Sequence, residues 1–208
     1  MRLLLPSLAV AAVLVLRCGA ADACINVTKA DLDESVRSLK IAEGALEGGD
    51  LPKATRWLDA ASRFLEDVKH SIDPEDGKVH SPQGAPFPPP DAGLYRRAAR
   101  LRALIRSRSP KATPPEREAA VQLFEKEVLG PSPDPTLLAD YAEALSRVPA
   151  RAAQAAMMLR ALRDKDLIGS AFAYAALAAI EKQAGDEQAS GAARERCRTM
   201  AKKPAICG

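Results

Sequence analysis

Apolar residues along the chain fall into two regimes. Leu3 to Leu16 form a nearly unbroken apolar run, whereas from Asp31 onward apolar positions recur at helical intervals. Val36, Leu39 and Ala42 fall on one helix face, with Leu46 a turn further on, and Ala54, Leu58, Ala61 and Leu65 recur at four, three and four. Leu94, Ala98, Leu101 and Ile105 make a further narrow stripe. No segment alternates with the period of two that a half-buried strand requires, so the pattern predicts an all-α protein. Breaks between the periodic segments carry helix punctuation. Gly48-Gly49-Asp50 and Gly185-Asp186 read as a glycine stop followed by an aspartate cap. Thr113-Pro114-Pro115-Glu116 reads as a capping box with proline at the first helical position, and Asp134-Pro135 as a cap followed by proline. These signals predict eight helices in four antiparallel pairs: 31–47 with 51–70, 94–108 with 114–129, 135–147 with 150–164, and 168–184 with 187–202.

One long interruption separates the first pair from the others. Residues 73–93 hold six of the sixteen prolines, including Pro88-Pro89-Pro90, and are expected to be an extended, mobile linker. Its P-x-x-P character would also suit a ligand of a proline-recognition domain. The chain therefore divides into residues 1–23, a first helical hairpin at 24–72, the linker at 73–93 and a helical region at 94–208.

Within the pairs, an alanine opening the second helix with a large apolar residue four later recurs as Ala54/Leu58, Ala120/Phe124 and Ala153/Met157, with Ala189/Ala193 a weaker copy. The steps of 66, 33 and 36 residues lie near multiples of 34, and such a period is the signature of stacked helical hairpins. Ala54, Leu58 and Ala61, with Ala42 twelve residues before Ala54 and the Gly49-Asp50 turn between, resemble the tetratricopeptide repeat (TPR) family. The other three copies depart from it, with Glu127, Arg160 and Arg196 in place of the last alanine, and the family's aromatic signature and terminal proline are missing. The resemblance implies a right-handed α-solenoid of about four helix pairs whose concave face binds a protein or peptide. The alternative is an irregular helical bundle whose abundant alanine produces the spacing by chance.

Composition agrees with closely packed helices. Hydrophobic residues make up 47% of the 208 residues but aromatics only 4%, and alanine is about a fifth of the chain. This disfavours a β-sandwich or barrel. Met1-Arg2, the 14-residue apolar run and Ala21-Asp22-Ala23 match a secretory signal peptide with cleavage among Ala20, Ala21 and Ala23. The run is too short for a spanning helix of about 20 residues. Cleavage after Ala23 leaves 28 Lys+Arg against 26 Asp+Glu, or +2, which gives no reason to expect nucleic acid. The expected location is secreted or periplasmic, in the cell envelope.

Export changes the reading of the cysteines. Cys18 leaves with the signal, and Cys24, Cys197 and Cys207 remain. Cys197 and Cys207 are expected to form a disulfide tying the tail onto the last helix. A buried free thiol at Cys197 is the competing reading. Pairing of Cys24 with Cys207 would staple the two ends together, which the length of a stacked array disfavours. Cys24 also invites a lipid, although Ala-Asp-Ala is a poor lipobox, and Asn26-Val27-Thr28 fits the N-glycosylation pattern.

The chain carries no H-E-x-x-H, G-x-S-x-G, P-loop or dinucleotide fingerprint, so no catalytic residue and no cofactor are expected. His70 and His80 flank Asp73, Glu75 and Asp76, which could serve as metal ligands in an exported metal-binding protein or hydrolase; solvated linker polars are the alternative. Residues 94–109 hold six arginines and no acid, readable as a surface for acidic partners or as a face paired with Glu116, Glu118, Glu125 and Glu127. The leading expectation is a non-enzymatic interaction or assembly module. Its candidate surface, lined by the first helices of the pairs, includes Tyr95, Arg96, Arg100, Tyr141 and Tyr174.

Overall fold

A computed structural model describes residues 29–80 and 86–208. The signal-like segment, Cys18, Cys24, Asn26–Thr28 and residues 81–85 lie outside them. The described residues form eight α-helices and no strand: α1 (Lys29–Glu47), α2 (Leu51–His70), α3 (Ala92–Arg108), α4 (Pro114–Leu123), α5 (Pro135–Ser146), α6 (Ala152–Asp164), α7 (Ala171–Gln183) and α8 (Glu187–Met200). They pack as the neighbouring pairs α1/α2, α3/α4, α5/α6 and α7/α8. The first helices also touch in order, α1 with α3, α3 with α5 and α5 with α7, while α2, α4 and α6 each touch the first helix of the next pair.

Local chemistry sets the boundaries. The side chains of Asp50, Asp134 and Asp186 accept the backbone N–H of Lys53, Leu137 and Ala189, and Thr113 and Glu116 form a reciprocal capping box. Each such cap satisfies a donor that the first helical turn leaves free. Gly49 and Gly185 stand at φ of +71° and +81°, a conformation in which a Cβ would clash with the backbone. The fourth helix does not run regularly to residue 129 as expected. It widens into a π turn at Phe124–Val128, closed by the bond from Leu129 N–H to the Phe124 carbonyl, and both Phe124 and Val128 are buried.

Two core clusters run through the molecule. One joins α1–α5 with Ala155 of α6, and the other joins α5–α8 with the C-terminal tail. Ala54, Leu58, Ala61 and Leu65 are buried as their spacing predicts, and each fully buried leucine contributes about 1.5–3 kcal/mol. Other expected core positions are corrected. Val36 is 40% exposed, because the buried stripe of α1 runs through Ser35, Leu39, Ala42 and Leu46. In α6 the Ala153/Met157 copy faces outward, with Met157 69% exposed, and the buried set two residues on is Ala155, Leu159 and Leu162. In α8 Ala193 and Cys197 are buried as expected, and Ser190 rather than the half-buried Ala189 completes the inward face. Alanine is so frequent that its spacing fits several registers, and contact with the neighbouring helices selects one.

The proline-rich segment is extended but not detached. Ile72 bridges Val79, Val79 bridges Phe87, and Val79 is fully buried with Val68 against Phe64 of α2. At the other end of the chain Cys197 and Cys207 form a disulfide with their Cα atoms 5.8 Å apart, through a short 3-10 turn at Pro204–Cys207. The expectation that a stacked array holds its ends apart is also corrected. The tail turns back across the first hairpin, where Lys202 Nζ lies 2.7 Å from Glu47. Among the described residues no helix is long and apolar enough to cross a membrane.

Candidate functional site

The first helices are drawn together by the arginines of α3. Arg97 pairs with Glu43 of α1, Arg100 donates from Nε to Asp140 of α5 at 2.6 Å, and Arg102 donates to Ser62 of α2 at 3.0 Å. Arg108 makes two parallel bonds to Glu143 of α5, at 2.9 and 2.7 Å, and a third to the Leu46 carbonyl at the end of α1. Its guanidinium also lies 3.7 Å from the centroid of the Phe172 ring of α7. Arg108, on α3, therefore touches each of the other three first helices at one point. Arg106 acts by its charge on Glu116, one of the acids expected on the following helix, whereas Arg97, Arg100 and Arg108 bind acids 35 to 54 residues away. This happens because α3 packs between α1 and α5, whereas its own partner helix covers only one side.

Burial sets the protonation of this network. Burial alone would push the Glu143 carboxyl up, but Arg108 and Arg147 hold it below the ordinary glutamate range. Asp140 goes the other way, because desolvation outweighs Arg100 and raises its carboxyl. A third buried acid, Glu181 on α7, is held low by hydrogen bonds from Arg160 and the charge of Arg163, both on α6. Two departures from the repeat pattern thus have partners: Arg160 binds Glu181, and Arg196 reaches Asp166 and the Tyr174 ring.

Above the network lies a cleft of about 460 Å³ bounded by all four first helices. Glu43 and Leu46 come from α1, Arg100 and Arg108 from α3, Thr136 and Asp140 from α5, and Phe172 from α7; Met200 and Lys202 close one rim. Of the candidate surface residues, Arg100 lines this cleft. Arg96 is exposed and lines a separate cleft beside the 130–134 loop, and Tyr95 lines another over α2, its hydroxyl 3.4 Å from the Leu65 carbonyl. Tyr141 and Tyr174 are corrected from groove to core. They are 6% and 2% exposed, with the Tyr141 hydroxyl donating to Glu125, and burial beside that carboxylate pushes the phenol up to about 12. Neither ring lines the cleft: Tyr141 packs beside Phe124 of the preceding pair, and Tyr174 lies against Arg196 of its own partner helix α8. Phe172 carries no signal in the sequence, because it lies beside the buried face of α7 formed by Ala173, Tyr174, Leu177 and Ala178 rather than on it.

The histidines separate. The side-chain ligand atoms of Asp73, Asp76 and His80 lie within 4.8 Å of one another, with His80 Nε2 3.0 Å from Asp76. His70, at the end of α2, is not in that group. The backbone N–H of Lys78 and then His80 hold the exposed Asp76 carboxyl low. Compared with known proteins, the chain matches no family model, no curated protein and no solved structure.

Proposed function

We propose that this is an exported, non-enzymatic helical-repeat protein that binds a protein or peptide partner in the cleft along its first helices. One observation carries the reading: four successive first helices contribute to one concavity, the geometry by which stacked helical hairpins make binding surfaces. Its charged groups are largely tied to one another, so the cleft is preorganised, and Phe172 and Met200 offer apolar contact beside them. The tetratricopeptide resemblance of the first hairpin and the signal-like N-terminus support the same reading, with the partner in the envelope or outside the cell.

A photo-crosslinker at Thr136, exposed in the cleft, is expected to capture a discrete partner from the envelope fraction. The same probe at Met157, on an outward face, is expected to capture none. Adducts from position 157 alone, or none from either site under several chemistries, would remove the proposal. N-terminal sequencing of the exported chain tests the cleavage site and shows whether Cys24 carries a lipid.

A second reading, a metal-binding protein or hydrolase, is favoured by the grouping of Asp73, Asp76 and His80. Carboxylate and imidazole ligands in that number suit a divalent transition metal. On this reading stoichiometric metal disappears in His80→Ala and persists in His70→Ala, and substoichiometric metal in all three proteins excludes it.

A further inference from the structure

The C-terminal tail does more than end the last helix. After α8 stops at Met200, Cys207 is 5% exposed and joined to the fully buried Cys197. Between the two cysteines the tail leaves its own hairpin and meets the first one. Lys202 pairs with Glu47, the last residue of α1. Ile206 packs over the α1–α2 turn, its Cγ1 3.8 Å from the position a Cβ would take on Gly49, with Phe172 Cζ 3.9 Å from the same point. From below, Arg108 donates to the Leu46 carbonyl of that turn. The turn is thus contacted both by Arg108 and by a segment more than 150 residues away in sequence. Lys202 on this segment and Met200, the last residue of α8, also form the rim of the cleft.

We propose that residues 201–208 are a strap, fastened by the Cys197–Cys207 disulfide, that joins the last hairpin to the first and sets the order of the 46–51 turn. The strap acts whatever occupies the cleft. Its fastening is chemically reversible: a dithiol reductant attacks one sulfur, the S–S bond breaks, and both cysteines leave as thiols. The reductant supplies two electrons and two protons and closes to its own disulfide. Because both cysteines are buried, the thiolate reaches sulfur only when the tail lifts.

Amide hydrogen exchange on the full chain tests this. In the oxidised protein the Gly49 and Asp50 amides bond the Leu46 and Ala45 carbonyls. In Cys197→Ser/Cys207→Ser these two amides are expected to exchange about tenfold faster, while amides of residues 58–65 in α2 keep their protection. Dithiol treatment of the unmutated protein is expected to reproduce the change, and reoxidation to reverse it. Ile206→Asp keeps the disulfide and the Lys202–Glu47 pair while removing the apolar contact over Gly49, and the same acceleration at Gly49 and Asp50 is expected. If the double serine variant loses protection throughout α2, Ile206→Asp decides. Turn amides within about twofold of the unmutated rate in Ile206→Asp would overturn the strap.

Discussion

Glu143 is the residue on which the buried charge converges. Its carboxylate is fully buried and accepts from Arg108 and Arg147. Removing one member of such a group leaves the other charge without compensation, which costs about 3–5 kcal/mol. Glu143→Leu, which strands the 5% exposed Arg108, is expected to lose that much in urea denaturation followed by Trp57 fluorescence. Arg37→Ala, which breaks an exposed pair with Glu34, is expected to change stability by under about 0.5 kcal/mol. Equal small losses would show that the Glu143 network is solvated. The same carboxyls set the response to acid. Glu143 and Glu181 are held below their ordinary value, so their contribution is complete above it and is lost as pH falls through their folded-state pKa. Asp140 is raised, so its contribution has the opposite sign: protonating it on acidification favours the fold. Asp140→Asn is therefore expected to lose stability more steeply than the unmutated protein between neutral pH and about pH 4, measured as the urea midpoint across that range. A shallower loss would reverse the assignment.

At the scale of the element, helix limits were legible in the sequence while helix faces were only partly so. Asp50, Thr113, Asp134 and Asp186 cap where their types require, because a cap is satisfied by backbone groups two or three residues away. Which face of α6 turns inward depends on α5 and α7, and alanine-rich sequence leaves that choice open. Leu159→Ala is expected to cost about 2–5 kcal/mol, whereas Met157→Ala is expected to be nearly neutral; thermal denaturation of the two variants checks the register. Glycines give a second contrast. Gly191 lies inside α8 with open space where a Cβ would sit, so Gly191→Ala is expected to stabilise by about 0.5–1 kcal/mol. Gly185 also has open space but stands at φ +81°, so Gly185→Ala is expected to destabilise. If both alanines stabilise, the left-handed turn between α7 and α8 is not formed.

Across the whole molecule, contacts that skip whole hairpins change what a row of stacked pairs would do. Neighbour-only stacking lets one end of an array open while the other stays folded. Here Arg108 ties α3 to α1, α5 and α7, and the tail ties the last hairpin to the first. The fluorescence of Trp57, the single tryptophan and a residue of α2, is therefore expected to change at the same urea concentration as total helix content. Two separated transitions would indicate independent ends. Reducing the disulfide is expected to lower stability by up to about 2–3 kcal/mol through the freed ten-residue loop.

The sequence by itself determined the helical class, the four pairs and the caps and favoured the Cys197–Cys207 pairing over its alternatives, because each depends on groups close along the chain. Helical periodicity needs about a turn or two, a cap needs three residues, and Cys197 and Cys207 lie ten apart. Tertiary structure alone decided which acids the α3 arginines bind, that Tyr141 and Tyr174 are core while Phe172 faces the cleft, and that the tail closes on the first hairpin. The hydrogen bonds of these arginines and of the tail join residues 35 to 155 positions apart. An arginine reads the same in sequence whether it meets water, its partner helix or a buried carboxylate, and only the packing of α1, α3, α5 and α7 around one point brings the acid to it.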